Sequence, residues 1–527
     1  MLNAHPRQIF LWTLAPLLVF RLWLAATLPI TGDEAYFIWW GKIPDWGFYD
    51  HPPMIGWWLA AQLQLGEAAW WLRLTSVLQP FVIAGAVAFM LPRIWPEIDD
   101  ERRWWAALPT LLAPAAVWNV LITTDTPLIY FSVFSGLAWL RARNTTARDD
   151  GYGWYLLAGV FLAGAVLSKY FVAFLGFAYL VDALWRPSRK KLAGLILAYL
   201  CILPALALMA WWNVGHCWPN FMFNFINRHG DAGLSWKTPL LYVVTMGYLL
   251  TPPVVWRLAR NLAPFGLSLS KPVLSSVEGP VHPSTGSGRT GTLAILAFVP
   301  LALFALLSLV KTIGLHWVLS FLPFVFMLLA LKLEKPALAR IGKFLLGFAV
   351  LHVVAFIVMA QLPLETLQRT KWYDSAVLAF EGERIAARLK PYQKDYVFAS
   401  DGYADAATQG WNSRHYFIVF GEASSHARHD DILTDFRPLD GRNILILKKS
   451  APGPGEYAEY FHDMQVESFS LRGTTFYLVL GHGFNYPRYR DNVLATVKRK
   501  YYAIPAWLPQ TACYFCERYF PEAEDTP

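Results

Sequence analysis

The chain has 527 residues, of which 56% are hydrophobic, 16% aromatic and only 16% charged, with 25 tryptophans. Its mean hydropathy of +0.34 excludes an ordinary soluble domain and points to a polytopic membrane protein. The net charge of +8 would suit nucleic acid, but the Lys and Arg lie in short loops between apolar runs, so nucleic acid is excluded as a partner.

The first apolar run, 9–30, lacks a small-residue cleavage site and reads as a retained span. It leads into GDEAYFIWWGKIPDWGFYDHPP, residues 32–53. Thr31, three residues before Glu34, fits a capping box and predicts a helix start. Pro52 and Pro53 fit the first turn of a second helix over 54–65. That helix is too short to span and is predicted to lie along the interface, anchored by Trp57 and Trp58. Two readings of the acidic pair stand open. In one, Glu34 caps the helix and Asp33 is a favourable charge at its N-terminus. In the other, Asp33 is a general base facing a membrane-bound substrate.

Further apolar runs fall at 70–92, 103–121, 125–141, 153–168, 170–185, 192–213, 239–258, 292–310, 315–333 and 342–361. The pair 153–168 and 170–185 could be one tilted helix. Basic clusters flank it, however, at Arg141, Arg143 and Arg148 and again at Arg186, Arg189, Lys190 and Lys191. Both clusters want the cytoplasm, so the chain must cross twice between them. The result is eleven predicted spans with the N-terminus in the cytoplasm. The loops on the outer side then carry only Lys42, Lys169, Arg228, Lys237 and Lys311 as basic residues. The same assignment sends Asp33, Glu34, His51, Asp125, Lys169, Asn213, His216, Arg228, Lys311 and His316 to the outer face. One such charge alone would simply snorkel; their joint placement points to a site.

Residues 264–291 are rich in Ser, Gly and Pro and read as a flexible cytoplasmic insertion. They resemble the translation product of a dispersed bacterial repeat element. After residue 369 no spanning run remains. Helical periodicity at 375–389 and strand-like runs at 395–399, 415–420, 443–447 and 475–480 predict an α/β domain over 370–527, placed in the periplasm by the span count. Residues 1–369 form the transmembrane domain. Cys201 is expected in a span and Cys217 in a loop, while Cys513 and Cys516 form a lone CxxC, read as a local disulfide or two thiols. No P-loop or GxGxxG of the right context appears.

GDEAYFIWW followed by DWGFYDHPP resembles the first outer loop of bacterial glycosyltransferases of the family 39-like, GT-C fold type, relatives of protein O-mannosyltransferases and lipid A aminoarabinose transferases. TTDTPLIYF, LSKYFVAFL, WNVGHCWPNFMFNFINRHG, KTIGLHW and DGYADAATQGW with GRNILIL resemble later segments of that family, in order. The resemblance implies an inner-membrane transferase that uses a polyprenyl-phosphate sugar donor and an envelope acceptor: lipid A, a glycan, another lipid or a protein hydroxyl. Asp33 matches the family's acidic residue in the first outer loop. His51 stands where the aminoarabinose transferases carry a phosphate-contacting Lys, and Tyr36 where they carry an Arg.

The chemistry requires a base for the acceptor hydroxyl and donors for the departing phosphate. Asp33, Glu34 and Asp125 are the catalytic candidates. His51, Lys169, Arg228, Lys311 and His316 are candidates for the donor phosphate, and Tyr49, Asn213 and His216 for substrate contacts. Asp125 could bind the sugar or a cation, or cap its helix. No cofactor is required; Asp33 and Asp125 could hold a divalent metal. The competing readings are a lipid-linked sugar flippase, whose ionisable residues usually lie near the bilayer midplane, and a sensor with an outer ligand-binding domain.

Overall fold

The computed structural model describes residues 5–145, 150–227, 233–262, 286–422, 429–509 and 512–521. The chain folds as two compact units. One comprises Met1–Ala25, Arg73–Leu206 and Ala232–Met359; the other comprises Ala26–Leu72, Ala207–Asp231 and Ala360–Pro527.

The first unit is helical. Among the described residues six helices are long and apolar enough to cross a membrane: Pro6–Thr27, Ala69–Ile94, Arg189–Val214, Thr290–Ser308, Leu315–Lys332 and Lys335–Gln361. Lys237–Leu250 and Pro252–Arg260 are bent by 103° and would make a seventh if counted as one broken span. The eleven apolar runs therefore do not all become helices of spanning length. The run at 103–121 breaks into Asp100–Leu112 and Pro114–Trp118, because Pro114 has no N–H to continue the first helix. The runs at 153–168 and 170–185 form two separate short apolar helices, Tyr152–Val166 and Tyr170–Leu184. The insertion expected at 264–291 falls outside the described residues up to 285. Its last residues open the helix Gly286–Ser308 instead of a loop.

Lys335–Gln361 leaves Val350, Leu351, Val354 and Val358 exposed, an apolar surface suited to lipid. Inside, Trp139 stacks on Tyr179 with centroids 4.1 Å apart. The buried Asp182 beside them accepts from Trp139 Nε1 at 3.0 Å, Arg143 Nε at 2.9 Å and Thr292 Oγ1 at 2.7 Å. A buried carboxylate satisfied three times over costs little and fixes helix register. Arg21 is similarly buried and donates to the carbonyls of Val77, Ser76, Ala116 and Asn119.

The second unit is built on a five-stranded sheet. Its strands are β1 (Tyr396–Ser400), β2 (Ile418–Val419), β3 (Asn443–Lys448), β4 (Phe461–Leu471) and β5 (Thr474–Phe484), in the order β2-β1-β3-β5-β4. β1 runs parallel to β2 and β3; β5 runs antiparallel to β3 and β4. Alternate residues of β3 enter opposite cores. Ile444 and Ile446 face one, Leu445 and Leu447 the other, as expected for a strand buried on both faces. β4 is not legible from the sequence because it is a largely exposed edge strand whose apolar residues are interrupted by polar ones.

Tyr49, Cys217 and Phe223 belong to the Ile444 core. The first outer loop and the segment after Val214 are thus folded into the C-terminal unit, which the division at 369/370 does not anticipate. Cys217 and Cys513 form a disulfide with Cα atoms 4.5 Å apart. This corrects the expectation of a local disulfide or two thiols at Cys513 and Cys516. Loop closure over 296 residues of separation, invisible to spacing arguments, decides the partner.

Candidate active site

Asp33 lies in the first turn of the helix Gly32–Lys42. The helix begins where the sequence predicts. Thr31 N donates to Glu34 Oε2 at 3.0 Å, and Glu34 N donates to Thr31 Oγ1 at 3.3 Å, closing the capping box. Glu34 is 1% exposed. Its carboxylate serves the cap. Asp33 is exposed, and Tyr403 Oη donates to its Oδ1 at 2.8 Å. Gly32 makes that meeting feasible. A Cβ there would stand 2.7 Å from Ala404 Cβ, so only glycine lets the two helix starts approach.

Beneath Asp33 lies an aromatic platform. Tyr36 Oη donates to Asp50 Oδ1 at 3.4 Å and accepts from the His429 backbone N–H at 2.8 Å. Trp40 stacks on Phe48 with centroids 4.3 Å apart and planes within 5°. The His51 ring lies near those of Phe37 and Trp40, at 6.3 and 6.2 Å. The loop carrying Asp50 is pinned from the helix Pro219–Phe225, where Asn220 Nδ2 donates to Phe48 O and Asn224 Nδ2 to Asp50 O. The second helix of this region runs Met54–Leu63.

The three substrate-contact candidates are placed differently from expectation. Tyr49 is fully buried in the core, with its backbone N–H donating to His429 Nδ1 at 3.3 Å. Asn213 is buried and spent on backbone: Nδ2 donates to Met209 O and Oδ1 accepts from Phe221 N. His216 stacks on Trp212 at 4.4 Å, its Nδ1 2.8 Å from Trp212 O. The first two are structural, since helix ends and cores recruit the same polar aromatics and amides that sugar sites do.

In the first unit the structure brings Asp125, Lys169 and His316 together. Asp125 opens the helix Asp125–Arg143 and is 1% exposed. Its Oδ2 lies 2.6 Å from Lys169 Nζ and 3.5 Å from His316 Nε2. Lys169 Nζ also sits over the rings of Phe171 and Trp317, at 5.7 and 5.6 Å. Asp125 therefore neutralises a cation, and Lys169 is an ion-pair partner before it is a phosphate ligand. His316 is the accessible member, with 41% of its side chain exposed. Lys311 follows the helix Gly286–Ser308 in a turn, its N–H donating to Leu307 O. Arg228 lies outside the described residues. Among those residues no group of three or more His, Cys, Asp or Glu side chains gathers as a metal would need.

Sequence reasoning missed Tyr403, Asp50 and His429, and reached Tyr36 only as the residue standing where the aminoarabinose transferases carry an Arg. Tyr403 sits in DGYADAATQGW, but nothing in that stretch tells that it reaches residue 33. His429 gave no signal. Burial, helped by His216, pushes its imidazole down to about 3.

Residues 50–212 match the family described as dolichyl-phosphate-mannose-protein mannosyltransferase. RgtD of Rhizobium johnstonii, a lipid A galacturonosyltransferase, is 29% identical over 206 residues, which are 37% of this chain and 42% of that protein. The chain thus matches less than half the length of this curated relative. The fold is similar to crystal structures of ArnT from Cupriavidus metallidurans. The form bound to undecaprenyl phosphate superposes with a TM-score of 0.60 at 16% identity, covering 90% of this chain and 98% of that one. The apo form gives the same score and coverage at 14% identity. Over residues 50–212 the chain is thus similar in sequence to the protein mannosyltransferases, and its fold is similar to that of ArnT.

Proposed function

We propose that the protein transfers a sugar from a polyprenyl-phosphate donor to an envelope acceptor at the outer face of the inner membrane, with the N-terminus cytoplasmic and residues 370–527 periplasmic. The observation that carries this reading is Asp33: exposed, relieved of capping by Glu34, and held by Tyr403. A carboxylate so presented suits a general base. It takes the proton of the acceptor hydroxyl while that oxygen bonds to the anomeric carbon. The bond from that carbon to the phosphate oxygen breaks, and its electron pair stays on the lipid phosphate. Cationic donors must meet that charge. The candidates for that role are His316, Lys311, Lys169, His51 and Arg228. This reading requires no metal.

ArnT bound to undecaprenyl phosphate supports a polyprenyl-phosphate donor, and RgtD, a lipid A galacturonosyltransferase, puts lipid A first among the acceptors. The test is transfer by the purified protein in detergent, with radiolabelled polyprenyl-phosphate sugars and lipid A, phospholipid, glycan or peptide acceptors. Labelled product sustains the reading. Translocation of the donor across vesicles without any product would make the protein a flippase instead.

A further inference from the structure

The long helix Arg189–Val214 ends beside an unusual surface. Trp211 in its last turn is 62% exposed. The chain then reverses through Cys217 and Trp218, both with positive φ (62° and 54°), into the helix Pro219–Phe225. Phe225 at the end of that helix is 51% exposed. Phe221 packs between Trp218 at 5.9 Å, Phe225 at 4.9 Å and Trp507 at 5.9 Å. Trp507 comes from the far C-terminal segment and is 69% exposed. That segment is fastened here by the Cys217–Cys513 disulfide and by Trp218 Nε1 donating to Pro509 O at 2.6 Å.

Single exposed aromatics need no explanation, but a cluster of them does. Its position supplies one. A chain leaving the bilayer near residue 214 holds its next residues at the boundary of headgroups and acyl chains, where Trp and Phe are favoured. The helix Ala495–Tyr501, which packs against Pro219–Phe225, adds the exposed Arg499, suited to anionic headgroups, while Lys500 beside it pairs with Glu422. We propose that Phe225 and Trp507, gathered on Phe221, form a lipid-docking patch, so that the C-terminal segment rests in the bilayer interface, clamped there by the disulfide.

The test uses the full-length protein in vesicles of phosphatidylethanolamine and phosphatidylglycerol, in a Cys201→Ser, Cys516→Ser background. An environment-sensitive fluorophore is attached in turn at Trp507→Cys, Phe225→Cys, Val350→Cys (an exposed position on a span) and Arg384→Cys (an exposed position of the C-terminal unit). Lipids with a nitroxide high on the acyl chain should quench the 507 and 225 labels at least as well as the 350 label, and leave the 384 label nearly unquenched. Labels at 507 and 225 that behave like the one at 384 would overturn the proposal and leave the patch to a protein partner. Should Trp507→Cys fail to insert, the 225 label decides alone, quenching as at 350 supporting the patch and behaviour as at 384 ending it.

Discussion

Asp33 and Asp125 are the same side chain in two settings. Asp33 is exposed, and a neutral phenol donates to one of its oxygens. Asp125 is 1% exposed and holds the Lys169 ammonium at 2.6 Å. A base has to reach its substrate and be vacant for a proton; a buried ion pair fixes geometry and must stay paired. Charge patterning alone groups both as lone acids of the outer face. Burial and partners separate them.

The largest expected effect tests the first half of that contrast. Asp33→Asn keeps the shape of the helix start but cannot take a proton, so turnover should fall by about 10²–10⁴-fold. The folded protein and its donor affinity should be little changed, because the capping box of Thr31 and Glu34 is untouched. Turnover and donor binding measured side by side would show it. Near-normal turnover would return Asp33 to the role of a favourable charge at a helix N-terminus.

The second half predicts an effect on stability. Asp125→Asn strands the 7% exposed Lys169 without its counter-charge. Breaking such a buried pair costs about 3–5 kcal/mol. Thermal denaturation in detergent should show a large loss. Adding Lys169→Met should recover most of it, since two apolar or neutral groups need no partner. A single variant as stable as the parent would mean that the pair is not a structural element, and the contrast with Asp33 would collapse.

Much of this arrangement was legible in advance. The capping box at Thr31 and Glu34, the central strands and the apolar helices all follow from local spacing, and local spacing is what a sequence displays. Three things were hidden for one reason: each depends on residues far apart in the chain. Cys217 meets Cys513, Asp33 meets Tyr403, and Tyr49 is taken into the core of a sheet formed hundreds of residues later. Asn213 and Glu34 show a different limit: their chemistry suits a site and a helix end alike, and each makes contacts at a helix end.

Tyr403→Phe sharpens the comparison from the side of Asp33. It deletes the phenol that donates to Oδ1 while keeping the ring against Tyr36, whose centroid lies 5.4 Å away. A hydrogen bond to a charged group is worth about 1.5–3 kcal/mol at most, and less where solvent competes. Turnover should drop roughly tenfold through loss of orientation, with the melting temperature nearly constant. The corresponding loss of a contact to Asp125 would appear in melting and not in orientation. Unchanged turnover in Tyr403→Phe would free Asp33 from any dependence on the C-terminal unit's helix Tyr403–Ser413.

The last effect concerns pH and the platform under Asp33. His429 is 1% exposed, its imidazole is pushed down to about 3 by burial and then by His216, and its backbone N–H holds Tyr36. An unfolded chain takes up a proton near the ordinary imidazole value of about 6.5, while the folded one refuses it. The stability tied to neutral His429 is therefore complete above about pH 6.5 and drains away as the pH falls towards 3, at up to about 1.4 kcal/mol per pH unit. Asp431, raised by burial and then by Asp430, works in the opposite sense: its neutral folded form loses stability as the pH rises above the ordinary carboxylate value. His429→Gln can still accept from the Tyr49 N–H but does not titrate. The fall in melting temperature between pH 7 and pH 5 should be shallower in this variant than in the parent, and Asp431 cancels from that difference because both proteins carry it. Parallel curves would show that the platform does not depend on a neutral His429, and acid sensitivity could then no longer set the surroundings of Asp33 apart from those of Asp125.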